Sequence, residues 1–455
     1  MVKDFLKRQG FHPAEPLAEQ QTWLAWYQGR DKWHEYMIWN GRRNVGQVRD
    51  GMHMAKQVCQ DWASLLFNER VEIVPEDEAF AKALAYVLDR NFFRHRANQL
   101  IELTFALGTG AFVEYLDFDG EVAIDYVRGD CIYPLAWDNG EITECAFASL
   151  RQDGDKQRYY VNIHALADNG TYVVSNHLID KKGGTPVDLP DGVTPEVLTG
   201  SPLPRFQIIT PNIVNNVDLD SPFGISVYAN AISRLKKVDL IFDSGNNEFK
   251  LGRKRIIVPE HMTTRMTTDN MEIQVFDPND VAFYALPVGD STDQRPIDLT
   301  GQLRISEHSQ GLQDALNYLS EGVGLGADRY EYRQGGAKTA TEVVSEKSDL
   351  YQNLQRHELI LEKALRDLCR VVAEMTGHNP DQAIAISFDD SIINDRSTDI
   401  EEAIRLTTAG LQSRQQAIMD LFGLTEEQAQ AELAQILQED MGGAGAELQE
   451  TYGLE

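Results

Sequence analysis

Gly335-Gly-Ala-Lys-Thr339 sets a lysine and a hydroxyl behind small residues, the residue types with which a loop cradles a phosphate. That chemistry requires Gly-x4-Gly-Lys-Ser/Thr, because glycines let backbone amides wrap the anion. Here Tyr332 and Ala337 hold the two glycine positions and no strand leads in, so nucleotide hydrolysis at this loop is not expected. His357-Glu358 opens like the zinc-protease pattern His-Glu-x-x-His, but Leu361 stands where the second histidine belongs. Asp389-Asp390 and Asp117-x-Asp119 offer oxygen ligands for a hard cation, although a hairpin turn explains the second pair equally well. The histidines form no His-x-His pair, and no Gly-x-Ser-x-Gly elbow occurs. No catalytic residue, metal site or cofactor is therefore predicted.

What remains is two groups of cations. Lys250, Arg253, Lys254 and Arg255 fall within six residues at the end of a helical stretch. Cations there suit the helix dipole, and they equally suit an anionic partner. Arg329, Arg333 and Lys338 share a segment with Gly326, Gly335 and Gly336, where glycine permits several backbone shapes. An exposed linker is the alternative reading of that segment.

The elements that position these groups follow from hydrophobic periodicity. Trp23, Trp26 and Tyr27 sit at i, i+3, i+4 before Gly29, and Met54, Val58, Trp62, Leu65 and Leu66 repeat at helical spacing. With Trp33 and Trp39, the first 60 residues are expected to be helical packing material. A further helical pattern runs from 79 to 108. From about 110 to 210 the period becomes two, with turns at Asp117–Gly120, Asn139-Gly140 and Asn169-Gly170, which predicts antiparallel sheet. A Gly/Pro/Asp-rich loop covers 183–204. A long helix is expected over 225–252, with Leu235, Val238 and Phe242 on its apolar stripe. Strands and turns follow over 256–300, then a helix over 303–323. Thr339-Ala-Thr-Glu342 is a capping box opening a helix of about 36 residues to Met375, near 54 Å long. A strand at 383–388 and short helices close the chain, with further capping boxes at Ser413–Gln416 and Thr425–Gln428.

The 455 residues suffice for about three domains, and 42% apolar with 25% charged residues is ordinary globular composition. No apolar run approaches the roughly 18 residues of a spanning helix, and the opening stretch to Pro16 lacks a signal core. Cys59, Cys131, Cys145 and Cys369 show no paired spacing and read as reduced thiols. With 42 basic and 71 acidic residues the net charge is −29, which opposes coating of nucleic acid. Residues 399–455 alone carry twelve acidic and two basic residues, a solvated helical rim.

The order of helix, β insertion, returning helix, Gly-rich loop and very long helix resembles the tailed-bacteriophage portal proteins. Three strings resemble the long-tailed (siphovirus-type) subgroup: Met54-Ala-Lys-Gln-Val-Cys-Gln-Asp-Trp-Ala-Ser-Leu-Leu-Phe-Asn-Glu69, Asp125-Tyr-Val-Arg-Gly-Asp-Cys-Ile-Tyr-Pro-Leu-Ala-Trp137, and Asp218-Leu-Asp-Ser-Pro-Phe-Gly-Ile-Ser-Val-Tyr228 leading through Asp239 to Asn247-Glu-Phe-Lys250. The resemblance implies an α+β, mainly helical portal fold assembled as a ring with a central channel. It implies a wing over 1–224 completed by a strand in 378–398, stem helices at 225–252 and 301–323, and a clip over 253–300. A tunnel loop at 324–338, a long helix at 339–377 and a helical crown with a frayed tail at 399–455 complete the layout. Leu235, Val238 and Phe242 would pack subunits, Lys250, Arg253, Lys254 and Arg255 would dock partners, and Arg329, Arg333, Lys338, Gly335 and Gly336 would meet DNA. The implied partners are other copies of itself (about twelve), the terminase large subunit, a head-tail adaptor, capsid and scaffolding proteins, and double-stranded DNA without sequence preference. No membrane is implied, and the expected location is the virion after synthesis in the host cytoplasm. The alternative is a soluble metal-dependent or hydrolytic enzyme using carboxylates such as Asp389 and Asp390.

Overall fold

Tryptophan spacing near the N-terminus sets the first layer of the computed structural model. The structure describes residues 1–39, 42–68, 70–252, 256–259, 266–268, 271–273, 283–286, 297–298, 301–331, 340–388, 403–422 and 428–434. The chain divides into two units, Met1–Phe388 and Asp389–Glu455. In the first, α1 (Val2–Arg8) precedes α2 (Gln20–Tyr27), which buries Trp23 and Trp26 and closes on Gly29 at φ 64°. The segment expected to continue this helical packing instead forms a hairpin, β1 (Glu35–Trp39) and β2 (Asn44–Val48), after a single 3-10 turn. Trp39 lies on this ribbon and is 63% exposed, so it is not core. Tyr36, Ile38 and Trp39 before Asn40-Gly41, with Val45 and Val48 after it, are the overlooked strand signal.

The helical pattern over 54–66 is α3 (Met54–Leu66), with Val58, Trp62 and Leu66 buried. β3 (Glu72–Pro75) follows it. The pattern over 79–108 is two helices: α4 (Glu78–Arg90), capped by Asp77 accepting from the Ala79 amide at 2.9 Å, and α5 (Phe93–Leu107). The break falls at Asn91-Phe92, where Phe92 has φ 49°, a left-handed value costly for a bulky residue. α5 ends at Gly108, φ 86°, where a Cβ would stand 2.3 Å from the Gly224 carbonyl oxygen.

The period-two region forms two antiparallel sheets. β4 (Gly110–Leu116) lies between β5 (Val122–Arg128) and β12 (Phe206–Ile209). The larger sheet is built from β6 (Ile132–Asp138), β7 (Glu141–Asp153), β8 (Lys156–Leu166) and β9 (Tyr172–Asp180). Two short strands inside the expected loop, β10 (Pro186–Val187) and β11 (Glu196–Leu198), pair with β9. Asp117 Oδ1 accepts from the Asp119 and Glu121 amides at 2.9 and 3.0 Å, so the Asp117/Asp119 pair serves its turn. Val2, Phe5 and Leu6 of α1 pack on Ala146, Val161 and Ile179 of the larger sheet.

Residues 225–228, expected to be helical, stand outside the helix: 225 and 226 are irregular, 227 and 228 form a turn, and a 3-10 turn at Ala229–Ala231 follows. The Val227 amide donates to the Phe105 carbonyl and the Tyr228 hydroxyl to the Trp23 carbonyl, 2.9 and 2.8 Å, which ties them to the first layer. α6 therefore starts only at Ile232 and runs to Leu251. The described strands of 256–300 are β13 (Ile256–Pro259), β14 (Met266–Thr268), β15 (Met271–Ile273), β16 (Phe283–Leu286) and β17 (Ile297–Asp298). β13 pairs with β16 in parallel and with β17 antiparallel. α7 (Ile305–Gly322) and α8 (Ala340–Met375, 36 residues) follow; Leu354, Leu361, Leu365, Leu368 and Val372 of α8 are buried. β18 (Ile384–Ser387) pairs antiparallel with β3, more than 300 positions earlier in sequence. In the second unit, Ser413 Oγ accepts from the Gln416 amide at 3.0 Å and caps the helix Arg414–Phe422. Thr339 and Thr425 of the other capping boxes lie outside the described residues.

Glu114 of β4 is fully buried, and burial pushes its carboxyl up to about 8 from an ordinary 4.5. Gln207 Nε2 donates to its Oε2 at 3.2 Å, while Oε1 has no partner among the described residues. The folded chain thus holds a proton that the unfolded chain releases above about pH 4.5. Stability from this group is complete below that pH and is lost as pH rises through 8. Glu114→Gln is expected to flatten the decline in melting temperature between pH 5 and pH 8, and to melt above the parent at pH 8. An unaltered pH profile in thermal unfolding would contradict a buried, protonated Glu114.

Candidate functional site

Lys250, Arg329 and the apolar stripe lie on or beside α6 and α7, which pack antiparallel. At one end the Arg234 guanidinium donates to the Tyr318 carbonyl, and the Lys237 ammonium sits 4.8 Å from the Tyr318 ring centroid. At the other end Arg304 grips both Glu248 oxygens at 2.9 and 3.2 Å, holding that carboxyl well below its usual range, at about 2. Leu235 and Val238, expected to pack against a neighbouring subunit, are 2% and 0% exposed in the single chain. They belong to the protomer's own core. Phe242 is half-buried, and the exposed large apolar side chains of the pair are Leu240, Phe249, Ile305 and Tyr318.

One face of α6 is acidic and anchors the chain before α3. Buried Asp239 accepts from the Met52 amide at 2.8 Å and from His34 Nε2 at 2.9 Å. Asp243 accepts from the Asp50 amide at 3.1 Å and from Asn247 Nδ2 at 3.0 Å. Lys250 Nζ donates to Asp50 Oδ2 at 2.9 Å, so this cation already has an anionic mate within the chain. Both members are about half exposed, and water screens such a surface pair, so it contributes little to stability. Arg253, Lys254 and Arg255 lie outside the described residues.

The glycine-rich segment after α7 begins in a pinned state. Gly324 and Gly326 have φ of 82° and 83°, and Leu325 between them is buried. Trp62 Nε1 donates to the Val323 carbonyl at 3.0 Å, and Asn353 Nδ2 to the Gly324 carbonyl at 3.1 Å. Further along, Tyr330 donates its hydroxyl to Asp61 Oδ2 at 2.8 Å, and Arg329 Nη2 lies 3.4 Å from Asp61 Oδ1. Burial, with Asp61 next to it, raises the Tyr330 hydroxyl far above its ordinary value, so it stays a donor. Asp61 therefore latches the segment to α3 beside a cleft of about 520 Å³. Arg333, Gly335, Gly336 and Lys338 lie outside the described residues. The latch was not legible in sequence, because an acid on a helix surface looks like any solvated residue.

The other candidates resolve into packing roles. His357 is buried edge-to-face against Trp62 and Phe105, centroids 4.7 and 4.9 Å away, and its Nδ1 accepts from the Asn212 amide at 3.0 Å. Burial lowers it to about 4, so it is a neutral acceptor. Among the described residues, no group of three or more His, Cys, Asp or Glu is arranged to hold a metal. Asp389 and Asp390 lie outside those residues.

Comparison with known proteins gives this arrangement its context. The family model described as "Phage portal protein, SPP1 Gp6-like" matches residues 12–443. No curated protein sequence matches the chain. Among solved structures, a chain of the "Virion of native gene transfer agent (GTA) particle" is similar in fold, with a TM-score of 0.50 at 11% identity, over 91% of this chain and 96% of that one.

The Asp61 latch makes a direct prediction. Asp61→Ala should speed tryptic cleavage at Arg329 and Arg333 by several-fold. Because the ion pair is partly exposed and worth about 1 kcal/mol at most, the melting temperature should fall by only a few degrees. Unchanged cleavage kinetics would show that Asp61 does not hold the segment.

Proposed function

We propose, from the premise that this chain belongs to the phage portal proteins of the SPP1 Gp6-like family, that it forms a ring of about twelve copies around a DNA channel at one capsid vertex. Portal proteins are structural rather than enzymatic, and the hydrolase reading of Asp389 and Asp390 is given up with that membership. The match over 12–443 is the observation that carries the reading.

In this reading residues 1–224 with the strand in 378–398 are the wing, and α6 and α7 are stem helices. Residues 253–300 are the clip, which docks the terminase large subunit and later the head-tail adaptor. The segment 324–338 is the tunnel loop, α8 within 339–377 links channel to wing, and 399–455 is the crown. Major capsid and scaffolding proteins surround the ring in the virion. Twelve copies at −29 carry about −350 formal charges, so the conduit repels a polyanion overall and lets it slide. Asp61 competes with phosphate for the Arg329 guanidinium, which keeps each contact brief, salt-sensitive and indifferent to base sequence.

Light scattering of purified protein should give particles near 600 kDa for twelve copies of the 51.2 kDa chain. Negative-stain images should show rings with a central hole; thirteenfold rings would support the reading equally, and a stable monomer at all concentrations would end it. Arg329→Ala with Arg333→Ala should leave ring size unchanged while altering packaging rate or retention of packaged DNA. Normal packaging kinetics and full heads would return the segment to a linker.

A further inference from the structure

The two antiparallel sheets built from β4–β12 close three of their outer edges. At β9, the short strands β10 and β11 take up the edge. At β6, Pro134 lacks a donor, and its carbonyl accepts from the Ala14 amide at 2.8 Å. At β5, Asn91 stands in for a strand: its Oδ1 accepts from the Ile124 amide and its Nδ2 donates to the Val122 carbonyl, both at 2.9 Å. β12 is the remaining edge, and among the described residues no strand lies beyond it. The Glu114 amide donates to the Arg205 carbonyl at 3.1 Å, which fixes the alternation along the pair. Arg205, Gln207 and Ile209 turn their backbone groups to β4, and Phe206 and Ile208 turn theirs outward.

A cleft of about 750 Å³ lies against β12, between the Asn139–Ile142 turn and the stretch Ile360–Val371 of α8. Phe206, Gln207 and Ile208 all line it, so residues of both strand faces reach it and the cleft opens on the edge itself. Ile142, Ile213, Ile360, Ala364 and Val371 supply apolar walls. The charges of the cleft are matched within the chain. Lys363 Nζ lies 2.6 Å from Glu141 Oε1, and Arg370 lies 2.9 Å from Asp381 and 3.8 Å from Asp367. Gln207 is 5% exposed, and its Oε1 has no partner among the described residues. A buried acceptor in that state is costly until a donor reaches it.

We propose that β12 takes an added strand: an extended, uncharged, apolar segment of a partner protein in the particle lies in this cleft and bonds to the backbone of Phe206 and Ile208. A row of outward amides and carbonyls is completed by a strand and by no helix. Because the cleft's own charges are matched, an uncharged segment fits it. A second copy, with 71 acids against 42 bases, would find no unmatched cation there. The partner's place in the particle rests on the portal reading above.

The test compares hydrogen exchange, read residue by residue, in the purified full-length chain and in purified heads. In the purified chain the Phe206 and Ile208 amides should exchange fast between a slow Gln207 and a slow Ile209. In heads both should slow by about tenfold or more. Unslowed exchange in heads overturns the proposal. Slow exchange already in the purified ring also overturns it, because the edge then belongs to a second copy. Ile208→Pro should keep the parent's circular dichroism, since β4 does not use that amide, and should lower the amount of this chain in heads about tenfold. Ile208→Val keeps the amide and should match the parent. Parental incorporation of Ile208→Pro overturns the added strand. Light scattering tests the ring separately: ring-sized particles with unslowed amides in heads overturn only the added strand, whereas a monomer that is absent from heads overturns both readings.

Discussion

Two glycines in backbone contact join the parts of this protein. A Cβ on Gly108 would stand 2.3 Å from the Gly224 carbonyl oxygen, and one on Gly224 would stand 2.2 Å from that of Gly108. No other residue fits at either place. Gly108 is where the chain leaves α5 for β4, and Gly224 is where it leaves the sheet region for α6. Thr109 Oγ1 accepts from the Gly224 amide at 3.2 Å, and Ser226 Oγ donates to the Phe105 carbonyl at 3.1 Å. Helical layer, smaller sheet and the α6–α7 pair thus meet at one crossing, and the non-helical run 225–228 passes through it.

That crossing explains which sequence readings held and which did not. Turns written in local chemistry were legible, such as Asp117–Gly120 and the Ser413 cap, because the same side chain that signals them makes their hydrogen bonds. The 36-residue α8 was legible because its apolar period runs unbroken. The start of α6 was placed seven residues early, since Ile225 and Val227 continue the helical spacing while tertiary bonds such as that from the Val227 amide to the Phe105 carbonyl hold this run out of the helix. Periodicity also located Leu235 and Val238 on a buried face without saying whose core buries them. The portal family was legible from long strings, whereas the Asp61 latch depends on a residue 268 positions from Arg329 and leaves no local trace.

Electrostatics divides the labour between surface and interior. Most of the net −29 is carried where water screens it, while the acids of α6 are spent on amides and on His34. Asp239 and Asp243 accordingly act as fixed hydrogen-bond acceptors that set where the residues before α3 run. The loop cation at 329 is the reverse case, an exposed charge with a replaceable mate.

The pairing of β18 with β3 carries a temporal consequence. Among the described residues β3 has no other strand beside it, so during synthesis its edge waits for residues 384–387. The β3 edge is therefore completed late, while the ribbon at 35–48 is among the first pieces translated. Long-range closure of this kind is slow compared with local hairpin formation. A strand made early thus waits for a partner made more than 300 residues later, and the layer that holds it closes only when most of the chain exists.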